Sequence, residues 1–202
     1  MKRTILLLVL CVSTGLVTEA QISSPAISVG WGDFTNAVVN RQCLESAYYF
    51  SNGVMSNYVS TTSTGAWHAE ISVKVWRLTV GAVGAWEHVN VTQQYSEGGA
   101  PAYVQVGNNY FTGMLSVQWN YWSLGLPYVH LYGRLAGGYY QENSKLIQGQ
   151  NVNDPNGSTY MTGNFAYQVS PIGVFVGTKY GVYAEVGYGY LGIAAIGLRV
   201  GL

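Results

Sequence analysis

Eight ionisable side chains in this sequence share one property. His68, Glu70, Lys74, Glu87, His130, Arg134, Glu185 and Arg199 all fall on the polar side of segments whose residues alternate between polar and apolar. Successive side chains of a β-strand point to opposite faces, so alternation gathers such groups on one side of a sheet. If the sheet closes with that side inward, the charges meet in a lumen. An isolated buried ion costs several kcal/mol even after relaxation, so ions held there must pair. The carboxylates Glu70 and Glu185 with the cations Lys74, Arg134 and Arg199 supply a lumenal polar network, whose task is to hold the shape of the closed sheet.

A second chemistry is hydrolysis or acyl transfer on lipid, which needs a hydroxyl nucleophile, a histidine base and a group to orient the imidazole. His88 has Glu87 beside it and Thr92 and Ser96 after it, but neighbours in a strand face opposite ways, so Glu87 does not orient His88. His130 has Tyr132, not a serine, two residues on. No catalytic residue is assigned on this pattern. Nor is a cofactor or a metal, because no Cys/His cluster has metal-ligand spacing. A lipid- or lipopolysaccharide-modifying enzyme is the rival to a structural or surface-interaction role, and passage of small amphiphiles is a third reading.

The elements that position these residues are short alternating runs. In 67–76, Trp67, Ala69, Ile71, Val73 and Val75 oppose His68, Glu70, Ser72 and Lys74. Similar runs fill 110–121, 128–140, 182–188 and 196–202, with weaker ones at 26–31, 78–88 and 165–176. The last of these changes phase at Ser170-Pro171, where a proline predicts a bulge or an edge. The eight runs predict an all-β fold, an eight-stranded antiparallel up-and-down transmembrane β-barrel, with a lumen that side chains can fill. Long outer loops are expected at about 33–65, 90–109 and 142–158, alternating with short turns at Arg77, 123–127 and 178–180. Val38, Val39, Leu44, Tyr48, Tyr49 and Met55 recur at roughly helical spacing, so 36–57 is read as a short helix or an irregular plug.

Composition and the leader point to the same class. Charged residues are 9% of the chain, against roughly 25% in a soluble domain. Aromatics are 14%, with 17 Tyr and 6 Trp. So few charges make a poor water-facing surface, whereas a closed barrel exposes apolar faces to lipid and satisfies its backbone between strands. Lys2 and Arg3, the apolar stretch Ile5 to Val12 and the small-residue end at Ala20 have the layout of a secretory signal peptide, 1–20, leaving 21–202 as the barrel. Removing Lys2, Arg3 and Glu19 from the 9 basic and 9 acidic residues leaves 7 and 8, which gives no basic patch for nucleic acid. Cys43 is then the one remaining cysteine and is read as a free thiol. The expected surroundings are the cell outer membrane, its lipid and lipopolysaccharide. Tyr48, Tyr49, Tyr58, Tyr95, Tyr103 and Tyr110 are placed in the outer loops, where they could meet a surface ligand or protein. A soluble secreted barrel with its apolar faces inward is the alternative architecture.

The Gly- and Tyr-rich segments Ser170-Pro171-Ile172-Gly173-Val174, Tyr180 to Gly189 and Gly192 to Leu202, with the 67–86 hairpin more loosely, resemble the small outer-membrane β-barrel proteins of Bacteroidetes. That resemblance implies an eight-stranded barrel and no settled activity. Such barrels commonly end in an aromatic residue, whereas this sequence ends in Leu202.

Overall fold

Alternation of bulky apolar residues with polar or small ones dictates strands with two unlike faces, and in the computed structural model these strands close on themselves. The structure describes residues 25–38, 56–97, 100–123, 128–148 and 160–202. They hold nine strands: β1 (Ala26–Asp33), β2 (Ser56–Ser63), β3 (Ala66–Val75), β4 (Leu78–Glu97), β5 (Ala100–Ser123), β6 (Val129–Gln148), β7 (Tyr160–Gly177), β8 (Tyr180–Gly189) and β9 (Ala194–Gly201). Every pairing is antiparallel, and the ring runs β1-β3-β4-β5-β6-β7-β8-β9 and back to β1.

β2 adds no place to this ring. It pairs with the far half of β4, from Ser56↔Tyr95 to Ser63↔Val89, while β3 pairs with the near half, from Trp67↔Trp86 to Val75↔Leu78. The two are one strand position interrupted at Thr64-Gly65. The interruption is built from local chemistry: Trp31 Nε1 donates to the Thr64 carbonyl at 2.8 Å, and Gly65 takes a φ of 70° with the Trp31 indole against it. A side chain at Gly65 would be strained and would collide with that indole. The barrel is therefore eight-stranded.

The strands are tilted, as closure requires. Successive partners Ala26, Ser72, Gly81, Ser116, Ala136, Gln168 and Gly189 all face inward, yet the path starts at the first residue of β1 and arrives at the last residue of β8. The phase change at Ser170-Pro171 is a bulge: register shifts there against both β6 and β8.

The two ends differ. One carries short connections, with a turn at Trp76-Arg77 and another before Tyr180, and is called the turn end below. At the other, β4 to β7 run on for 18 to 24 residues while β1, β8 and β9 stop at 8 to 10, so one wall stands tall. Here the structure corrects the sequence reading. Most of 90–109, expected as a loop, is strand, paired without interruption from Asn90↔Gly107 to Glu97↔Ala100. Its Asn and Gln content reads as loop, but Val91, Thr92, Val104 and Val106 are strand formers, and an antiparallel hairpin continues while both arms supply them. Likewise β2 occupies part of 33–65, and β6 runs on to Gln148 within 142–158. A helical turn begins at Asn36–Val38; the rest of the 36–57 proposal up to residue 55, with Cys43, lies outside the described residues, as does the leader.

Face assignment follows the alternation. Ile27, Val29, Ile71, Leu115, Ile196 and Leu198 are exposed on the outside, whereas Ser28, Glu70, Ser72, Ser116, Arg134 and Glu185 are buried in the lumen. Among the described residues these apolar side chains lie on the outside of the closed sheet. Outward aromatic residues form a row across four adjacent strands, Trp31↔Trp67↔Trp86↔Phe111, and a second exposed set, Trp76, Tyr121, Tyr128 and Tyr180, stands near the turn end.

Candidate functional site

The lumen is built in layers, and large inward side chains need small ones opposite them. Gly30, Gly81, Gly173 and Gly197 face inward, where a Cβ would meet Tyr183, the Glu70 carboxylate, the Tyr132 ring and Tyr183 respectively. These glycines make the space that the central charged residues occupy.

At the centre is Arg134 on β6, only 2% exposed. Its Nη1 donates to Glu185 Oε1 on β8 at 2.9 Å, and its Nη2 donates to Glu70 Oε2 on β3. Tyr132 donates to Glu185 Oε1 at 2.8 Å, and Ser116 donates to Glu70 Oε1. One guanidinium thus ties three strand positions together, and neutral hydroxyls share the load of satisfying the carboxylates. The space beside this cluster is about 10 Å³, room for roughly one water. Tyr183, which lines the same chamber, has its hydroxyl 2.7 Å from His68 Nε2, and His68 Nδ1 lies 3.4 Å from the Ala66 carbonyl.

Of the five residues proposed as a network from sequence, the structure brings three into contact. Lys74 and Arg199 share their face and line a cavity at the turn end together with His130, and Arg199 also lines the space beside the Arg134 cluster. Among the described residues, both ion pairs are those of Arg134. Tyr132 and Tyr183, which line this chamber, were not among the residues proposed from sequence. The available signal was spacing: each sits two residues before a buried ion, Arg134 and Glu185, and so points into the same chamber.

Towards the tall end an apolar cluster enters the lumen beside the buried polar residues Thr112, Gln168 and Glu142. Tyr110, Tyr140 and Tyr190 pack together, Tyr140 stacked on Tyr190 at 4.6 Å, with Val83, Val89, Met114 and Leu191 around them. Tyr110 was expected in an outer loop; it is buried in β5, because the strand continues past the point where the loop was placed. Tyr95 and Tyr103 also belong to strands, β4 and β5, which pair them with Ala102 and Gln94. Above this cluster, Glu87 accepts hydrogen bonds from Thr35 Oγ1 and Ser63 Oγ, both at 2.5 Å. It therefore clamps the residues that follow β1 to the end of β2.

Of the two histidines considered for catalysis, His88 sits on β4 opposite Asn109 and His130 on β6 opposite Ser123. The ring nitrogens of His88 face Asn109 Oδ1 at 2.9 Å and Asn90 Oδ1 at 3.0 Å. The ring of His130 stacks on Phe175 at 6.0 Å. Among the described residues no three His, Cys, Asp or Glu side chains are grouped to hold a metal.

No protein-family model, curated protein or solved structure matches this chain.

Proposed function

We propose that this chain is an outer-membrane β-barrel of a Gram-negative cell, exported by a signal peptide at 1–20, with a structural or surface-interaction role and no catalysis. The observation that carries the reading is the outward face. Bulky apolar side chains stand on the outside of all eight strand positions, bounded by aromatic residues towards each end, while Glu70, Arg134 and Glu185 are buried inside. In water such a surface would be a severe aggregation liability. In a bilayer it is the solvent-matched face, and aromatic residues favour the two interfaces.

Both ends of the ring, Ala26 and Gly201, then lie at the periplasmic side with the short turns, and the tall wall of β2 and β4 to β7 faces outward from the cell. The structural role rests on the Arg134 cluster and the tyrosine layer, which fill the lumen. The partners of this reading are outer-membrane lipid and lipopolysaccharide, with the tall wall as the surface for any further ligand or protein. The test is to express the full chain in a Gram-negative host, isolate the outer-membrane fraction and compare electrophoretic mobility with and without boiling. A folded membrane barrel stays in that fraction and shifts on heating; a soluble periplasmic protein with no heat-dependent shift overturns the reading.

A further inference from the structure

The turn-end mouth gathers basic side chains, and no side-chain carboxylate lines it. Lys74 of β3, His130 of β6, Lys179 of the β7–β8 turn and Arg199 of β9 line one cavity of about 210 Å³, with Thr79 and Gln118 as neutral polar walls. Lys74, Thr79 and Gln118 are consecutive cross-strand partners, so the register itself brings them to one level. The side-chain carboxylates of Glu70 and Glu185 are engaged by Arg134 in the chamber beyond Phe175, whose side chain lines both spaces. Phe175 also positions two of the donors: the His130 ring stacks on it and the Arg199 guanidinium lies 5.7 Å from its centroid. Arg199 faces both chambers, and its charge offsets the excess of one carboxylate over one guanidinium in the inner one. Lys74 and Lys179 have no such acidic neighbour, and among the described residues neither forms an ion pair.

Cations held together at the mouth of a low-dielectric cavity repel one another and focus a positive potential that attracts an anion. The cavity is small, polar-walled and carries ammonium, guanidinium and imidazole donors converging from different strands, which suits a compact tetrahedral oxyanion. We propose that the turn-end mouth binds a phosphate group, carried either by free phosphate or by the headgroup of an anionic phospholipid. The inference needs the barrel geometry and not its location, so it stands or falls separately from the proposed compartment.

The test uses the full folded chain in a phosphate-free maltoside detergent, titrated calorimetrically with inorganic phosphate at constant ionic strength held by chloride. Saturable binding with a Kd on the order of 1 mM or tighter is expected. Lys74→Gln and Lys179→Gln each weaken it about fivefold, and the double variant about 25-fold, as loss of a semi-exposed charge pair does. Both side chains are exposed, and the heat-dependent mobility shift of each variant verifies that the barrel is intact. A second arm reconstitutes the chain in vesicles of phosphatidylglycerol mixed with phosphatidylcholine and measures enrichment of the anionic lipid around the protein. Binding of phosphate in detergent assigns the site to free phosphate; lysine-dependent enrichment of phosphatidylglycerol alone assigns it to the lipid headgroup. If neither occurs, or if both are indifferent to the two lysines in intact barrels, the proposal is wrong.

Discussion

Arg134 Nη1 lies 2.9 Å from Glu185 Oε1, and the same guanidinium reaches Glu70 on the far side of the lumen. β6, β8 and β3 are not neighbours in the ring, so this one side chain fixes the distance between walls that backbone pairing leaves independent.

Arg134→Met therefore leaves two carboxylates buried without their counter-ion. Loss of one partner of a buried ion pair costs about 3–5 kcal/mol. Urea unfolding of the refolded barrel in detergent is expected to show that loss, while Glu70→Gln with Arg134→Met together costs less than the two changes added. Strict additivity of the two changes would mean that they do not act as one unit.

Glycine positions separate by face. Gly30 faces inward against Tyr183, His68 and the Ile196 carbonyl, whereas a Cβ on Gly84 or Gly113 would meet nothing within 4 Å. Gly30→Ala is expected to destabilise the barrel by about 1–3 kcal/mol through overpacking. Gly113→Ala should be neutral or stabilise by roughly 0.5–1 kcal/mol, because strand glycine carries an entropic cost. Equal effects at the two sites in the same unfolding assay would contradict the packing assigned to the lumen.

Much of this was legible in the sequence, and the reason is that alternation reports face directly. It placed Glu70, Arg134 and Glu185 inward, and the Ser170-Pro171 phase change located the β7 bulge. What alternation does not report is height. Lys74 shares a face with Glu70 but lies four residues nearer the turn end, and which residues from other strands stand at its level depends on the stagger of the closed sheet. That is why Lys74 was grouped with Arg134 and instead lines the mouth, while Arg199 lies between the two spaces and lines both. The tall hairpins were missed for a different reason: Asn, Gln and Tyr in 90–109 suit both a loop and a solvated strand, and pairing decides between them. The Glu87 clamp draws on Thr35 and Ser63 from beyond the strands that alternation had identified.

Glu87 is expected to hold the start of the connection after β1 against the end of β2. Glu87→Ala leaves the Thr35 and Ser63 hydroxyls without their acceptor, at a cost of about 1–3 kcal/mol. Hydrogen exchange should accelerate at 60–65 and leave the turn-end halves of β5 and β6 unchanged. Uniform acceleration through the barrel would mean that Glu87 supports the whole fold and not this junction.

A filled lumen forbids steady ion flow. The full chain in a planar bilayer is expected to give no discrete conductance steps, because the Arg134 cluster leaves only about 10 Å³ beside it and the tyrosine layer packs above. Stable single-channel steps that change with Arg134→Met would show that water and ions pass the charged layer.

The central claim is that the outside of the barrel faces lipid, and tryptophan quenching by brominated acyl chains tests it most directly. Trp67, Trp76 and Trp86 are exposed on the outer surface, near the two ends of the apolar band. With bromines near the headgroups, strong quenching is predicted, falling as the bromines move towards the bilayer centre. Emission from a water-soluble protein, unaffected by the bromolipids at every depth, would contradict the account.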